Sequence, residues 1–161
     1  MNLYLLRHGE AVSRSYIDAA RQLTPRGEED IANVAKQFAN LNLSVGCCLC
    51  SPFKRAQQTA EIFLKQSGIN TEVELTEILT PENRAVKLVD YLSTCTNNNI
   101  LLVSHNPVIS ELLAMLTTGD ISQMQILGTG HLAAMTTDFI SIGAGTTSFI
   151  LTPDAADIMS S

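Results

Sequence analysis

Asn2-Leu3-Tyr4-Leu5-Leu6-Arg7-His8-Gly9 is the stretch that decides how this chain is read. Its apolar part, Asn2 to Leu6, has the length of a buried strand, and a guanidinium and an imidazole stand immediately beyond it. Similar apolar runs recur at Gly46 to Cys50 and at Ile100 to Ser104, each followed by polar residues and a helical repeat. Strand, polar turn and helix therefore alternate, which is the pattern of an α/β sheet.

The intervening helices are legible from their apolar spacing. Ile31, Val34, Ala35, Phe38 and Leu41 mark the first, with Thr24 as N-cap and Pro25 in the first turn. A second follows Ser51-Pro52 and turns Ala56, Thr59, Ala60 and Phe63 inward, and Val86, Val89 and Leu92 mark a third, with Ala85 and Leu88 beside them. A fourth follows Asn106-Pro107 and carries Val108, Ile109, Leu112, Leu113 and Leu116. His131 to Thr137 and Thr147 to Leu151 read as closing strands around the Gly143 to Gly145 turn. The expectation is a single-domain three-layer sandwich over residues 1–153, with a mostly parallel central sheet and helices on both faces, followed by a loose C-terminal tail at 154–161. Ligands of such sheets bind beyond the carboxyl ends of the strands.

Of 161 residues 45% are hydrophobic and 16% charged, enough apolar material for one core. Sixteen acidic residues against ten Lys and Arg give a net charge of −6, which opposes nucleic acid and anionic membranes as partners. The apolar run at the N-terminus is stopped at once by Arg7 and His8, so a cytoplasmic protein is expected. Cys47, Cys48 and Cys50 show neither metal-ligand nor disulfide spacing and read as small core hydrophobes. No metal and no cofactor is expected.

Arg7-His8-Gly9, Ser51-Pro52-Phe53-Lys54-Arg55 and Ser104-His105-Asn106-Pro107 each follow a strand, so the fold brings Arg7, His8, Arg55 and His105 to one sheet edge. A phosphoryl group in flight spreads negative charge over three equatorial oxygens, which guanidinium forks and a protonated imidazole match. The helix N-termini at Pro52 and Pro107 add oriented amides, and Gly9 leaves room for close approach of the ligand. Ser51 and Arg21 join Gly9 as candidate substrate-binding residues. Arg21 either faces phosphate or pairs with Asp18. Glu10 and Glu77 are candidate proton donors in a field of solvated carboxylates, and His131 reads as a structural histidine.

Together with Leu23-Thr24-Pro25-Arg26-Gly27 and the run from Ser51 through Arg55 to Thr59, this ordered set resembles the histidine phosphatase superfamily, also called phosphoglycerate mutase-like, across nearly the whole chain. The resemblance implies His8 as nucleophile and Arg7, Arg55 and His105 as the phosphate pocket. Arg21-x-Leu23-Thr24-x-x-Gly27 and the compact length are most similar to the short phosphohistidine phosphatases. The mutases and fructose bisphosphatases carry a capping insertion for which there is no space between Glu72 and Ile100. Acid phosphatases continue their signature with Arg and Pro, where Glu10-Ala11 stands here. The implied partner is a phosphohistidine-carrying protein such as a histidine phosphotransfer domain. A small-molecule phosphomonoesterase and a silent phosphoprotein-binding module are the alternatives.

Overall fold

The computed structural model describes residues 1–155. Six strands form one sheet: β1 (Asn2–Arg7), β2 (Cys47–Cys50), β3 (Val73–Leu75), β4 (Asn99–Ser104), β5 (Leu132–Thr136) and β6 (Thr146–Leu151), in the order β3-β2-β4-β1-β5-β6. β1 to β4 pair in parallel, and β5 runs antiparallel between β1 and β6. Four helices cover it, α1 (Pro25–Asn40), α2 (Lys54–Ser67), α3 (Ala85–Ser93) and α4 (Val108–Thr117). The expected α/β sandwich is the fold observed.

Alternation along the buried strands sorts the core into two layers. Leu3, Leu5, Leu49, Ile100, Leu102, Ala133 and Met135 pack against α3 and α4. Tyr4, Leu6, Cys48, Cys50, Leu101, Val103, Leu132 and Ala134 pack against α1 and α2. Cys48 and Cys50 are core hydrophobes, and burial pushes the Cys48 thiol up to about 12. The two faces follow from topology: the chain steps β1 to β2 to β3 in one direction and returns to β4 in the other, and right-handed crossovers then send α1 and α2 to one face and α3 to the opposite one. Adjacent strands β1 and β4 thus lead into helices on opposite faces, and a crevice opens at their carboxyl ends.

Some expectations change. β3 is a strand of three exposed edge residues without an alternating pattern, so its sequence carries no strand signal. Val86 is half exposed, whereas the other residues expected to mark α3, Ala85, Leu88, Val89 and Leu92, form its buried stripe. α2 and α4 begin at Lys54 and Val108, after Ser51-Pro52 and Asn106-Pro107 as expected. The tail boundary expected at Asp154 lies at the limit of the described residues, and 156–161 fall outside them. No described helix is long and apolar enough to cross a membrane.

Gly9 makes room for the protein's own backbone. A Cβ on Gly9 would sit 2.8 Å from the Gly27 carbonyl oxygen, and one on Gly27 would run into the Glu10 backbone. The loop after β1 and the first turn of α1 therefore interlock, main chain on main chain. Thr24 closes that turn, its Oγ1 accepting from the Gly27 N–H at 3.0 Å and donating to Glu10 Oε1 at 2.9 Å. Gly9→Ala is expected to destabilise by about 1–3 kcal/mol. Gly46→Ala, whose new Cβ meets nothing closer than 3.6 Å, should shift stability by less than about 0.5 kcal/mol. Equal losses in urea unfolding would contradict the interlock.

Candidate active site

Strand register assembles the site. Arg7 pairs with Ser104 and Cys50 with Val103, so the residues that follow, His8, Ser51 and His105, leave adjacent strands at nearly one level. Two main-chain bonds extend the ladders past the strand ends: His8 N–H to Ser104 O at 3.0 Å and Ser51 N–H to Val103 O at 3.0 Å. Arg55 enters from the first turn of α2 with its side chain 4% exposed. The rings of His8 and His105 lie 4.9 Å apart.

His8 has a defined tautomer. Its Nδ1 lies 2.7 Å from the Gly9 carbonyl oxygen, which only accepts, so Nδ1 carries the proton and Nε2 keeps its lone pair. Arg55 Nε donates to that Nε2 at 3.3 Å. Burial first, then the charges of Arg55, Arg7 and Arg21, lower the His8 pKa to about 4, partly offset by the bond to Gly9. The imidazole is therefore neutral at pH 7.

His105 differs from expectation. It is also neutral: burial, followed by His8 and the three arginines, lowers its pKa to about 2. Its Nε2 is 2.8 Å from Ser51 Oγ, which also accepts from the Phe53 N–H at 3.3 Å. Ser51, fully buried, thus orients His105 instead of offering its hydroxyl to a ligand. Phe53 packs edge-on to His105 with ring centroids 5.1 Å apart, and Arg55 Cζ lies 5.0 Å from the Phe53 centroid, a cation–π contact.

Arg7 Nη1 donates to the Leu127 carbonyl at 2.8 Å, and Asn106 Nδ2 donates to the same oxygen at 2.9 Å. Apart from Glu111 Oε2 on α4, the buried side-chain polar atoms without a partner among the described residues are Arg7 Nε and His105 Nδ1. Native interiors rarely leave such atoms unpaired, and here both belong to the pocket.

The other candidates are placed differently. Arg21 stands at the rim, donating from Nε to Asp18 Oδ1 at 2.8 Å and from Nη1 to the Val12 carbonyl at 3.2 Å, so the ion pair weighed against a phosphate contact is the one formed. Glu10 is occupied by the Thr24 hydroxyl at the α1 cap. Glu77 projects exposed from a 3₁₀ turn, Glu77–Leu79, on the same sheet edge, with no side-chain hydrogen bond recorded. His131 lies over Gly128, where a Cβ would meet its Nε2 at 2.6 Å, and its carbonyl accepts from the Arg7 N–H. Sequence reasoning missed Asp18 as a partner of Arg55: Arg55 Nη1 donates to the Asp18 carbonyl at 2.9 Å and Nη2 to Oδ2 at 3.3 Å. The spacing Asp18-x-x-Arg21 was the signal, and it was read for Arg21 alone. Among the described residues no three His, Cys, Asp or Glu side chains gather as a metal-holding group.

The model of the histidine phosphatase superfamily (branch 1) matches residues 3–81. Phosphohistidine phosphatase SixA of Escherichia coli (strain K12) is 29% identical over 156 residues, covering 95% of this chain and 94% of that protein. A phosphohistidine phosphatase SixA homolog of Haemophilus influenzae is 32% identical over 127 residues, covering 72% and 77% respectively. The solved structure of the protein histidine phosphatase SixA complexed with tungstate superposes with a TM-score of 0.86 at 28% identity, covering 95% of this chain and 97% of that one.

Two buried neutral histidines make stability depend on pH with a fixed sign. Above pH 6.5 neither the folded nor the unfolded chain protonates them. Below it the unfolded chain takes up protons the folded site refuses, so unfolding free energy falls toward pH 4, by up to about 1.4 kcal/mol per pH unit per group. His105→Gln removes one share, and its stability should decline less steeply than wild type in urea unfolding at pH 7, 6 and 5. Identical slopes would mean that His105 is not held neutral.

Proposed function

This chain belongs to the histidine phosphatase superfamily, and from that premise we propose that it hydrolyses phosphohistidine carried by another protein. It is a SixA-like phosphatase, a hydrolase. The observation that carries the finer reading is the tautomer of His8: Nδ1–H bound to Gly9 O leaves a neutral Nε2 lone pair facing the Arg55 guanidinium, within the field of Arg7.

In this reading His8 Nε2 attacks phosphorus in line, the bond from phosphorus to the carrier's imidazole breaks, and water then hydrolyses phospho-His8. Arg7 and Arg55 take the charge of the equatorial oxygens. This reading assigns the Ser51 O–H as donor to His105 Nε2, 2.8 Å away, and so the His105 proton to Nδ1, the atom with no protein partner among the described residues, for a third oxygen.

The leaving group argues for a phosphorus–nitrogen bond. An alkoxide needs a proton from a positioned acid, whereas an imidazole whose other nitrogen is protonated departs neutral. None of the nearby carboxylates is such an acid: Glu10 is tied to Thr24, Glu77 points to solvent, and Asp18 is held below the usual carboxylate range by Arg55 and Arg21 against the opposing effect of burial. The segment from β3 to β4 supports a protein substrate as well. Its one helix, α3, lies on a sheet face through Leu88, Val89 and Leu92, so it forms no cap over the edge. A role in signal transduction in the cytoplasm goes with this reading, and four free cysteines suit that compartment.

His8→Ala should abolish turnover without unfolding the protein. Arg55→Ala should cost about 2–4 kcal/mol of transition-state stabilisation, and Arg55→Lys should recover only part, because a point charge cannot copy the fork. Chelation by EDTA should change nothing. The kcat/KM for a phosphohistidine carrier domain should exceed that for alkyl phosphates by several orders of magnitude, and Glu10→Gln with Glu77→Gln should leave it nearly unchanged. A better rate on a sugar or alkyl phosphate, lost in the double variant, would replace this reading with a small-molecule phosphomonoesterase.

A further inference from the structure

Three of the five N–H donors of Arg55 are engaged within the chain itself. Its Nε–H covers the His8 Nε2 lone pair, and one N–H on each terminal nitrogen is given to Asp18, to the carbonyl and to the carboxylate. The guanidinium thus bridges the nucleophile and an anion supplied by the chain itself. In the reaction read above, the lone pair must be uncovered before it can attack, and Arg55 must give its donors to phosphoryl oxygens.

The two partners are held very differently. Arg55 is rooted in α2 and buried, with a 4% exposed side chain, whereas the Asp18 side chain is 58% exposed. Asp18 opens a 3₁₀ turn, Asp18–Ala20, that buries none of its residues, and Tyr16 and Ile17 before it are exposed. Such a segment has little packing to oppose displacement. The Asp18 carboxylate stays ionised between Arg55 and Arg21, so it presents Arg55 with the same kind of charge-assisted acceptor that a phosphoryl oxygen would.

We propose that Asp18 is a positioning residue that stands in for the phosphoryl group: it holds Arg55 against His8 Nε2, and an arriving phosphoryl group displaces it. The inference rests on reading this pocket as a phosphoryl site. It adds a specificity device. An anion that takes the two Arg55 N–H groups now given to Asp18 must outcompete a carboxylate, and the same exchange uncovers the nucleophile, so His8 is exposed for attack when phosphate is present. A residue that held Arg55 in its productive place would have the opposite effect on anion affinity.

The test uses inorganic phosphate and the whole protein. Calorimetric titration of Asp18→Ala should give phosphate binding about three- to tenfold tighter than wild type, the scale of a partly exposed ion pair with charge-assisted bonds. The gain should vanish when Asp18→Ala is placed on Arg55→Ala, since the coupling runs through that guanidinium. Nitrogen NMR of the phosphate-free Asp18→Ala protein should show the His8 Nε2 resonance moved toward that of a free imine nitrogen. Unchanged or weaker phosphate binding in Asp18→Ala would overturn the proposal, as would a gain that survives without Arg55, which would be bulk electrostatics. A wild-type protein that binds no phosphate would sink the phosphoryl reading of the pocket. The NMR arm still decides the proposal in that case, and an unmoved His8 resonance overturns it.

Discussion

The parallel pairing of β1 with β4, which sets Arg7 beside Ser104, fixes everything that follows in this molecule. With that register His8 and His105 leave neighbouring strands side by side, and the β2 to β4 pairing brings Ser51 to the same level. A slip of one residue would turn Leu3, Leu5 and their partners to the wrong face of the sheet, so the apolar core and the pocket are specified by one set of hydrogen bonds. The crossover geometry then opens the crevice at that point. Local main-chain contact completes it, with Gly9 and Gly27 locking the loop that carries His8 onto α1.

Electrostatics in the pocket run against those of the whole chain. The protein is acidic, at −6, yet Arg7, Arg55 and Arg21 converge on two imidazoles that burial keeps neutral. Attraction for a phosphoryl group is therefore local and short-ranged, and in salt it is felt mainly after an encounter. Neutrality suits the proposed chemistry. A protonated His8 would be no nucleophile, and the bond from Nδ1 to the Gly9 carbonyl ensures that the free lone pair is the one on Nε2.

The sheet and its helices were legible because parallel strands buried on both faces read as unbroken apolar runs, and amphipathic helices as stripes. The residues gathered at the edge were legible for the same reason, since Arg7 ends a strand and His8, Ser51 and His105 follow strand ends. What sequence did not disclose depends on distance or on burial. The partner of Arg55 is 37 residues upstream in a turn with no core residue, and the carbonyl that holds Arg7 is 120 residues away. β3 has no buried face to leave a pattern. The neutral state of His105 and the use of Ser51 as its support arise from enclosure, which no local motif records. Gly9 was read for the freedom it gives a ligand, and the structure spends that freedom on Gly27.

The central claim is that the phosphoryl group passes through Nε2 of His8. A phosphohistidine carrier domain mixed with the protein and quenched in base within one turnover would trap that state, with mass spectrometry locating the residue and phosphorus NMR the ring nitrogen. The account predicts phosphate on His8 Nε2, appearing and decaying at rates that match turnover. Full-rate dephosphorylation of the carrier with His8 unlabelled, or a label on Nδ1, would contradict it.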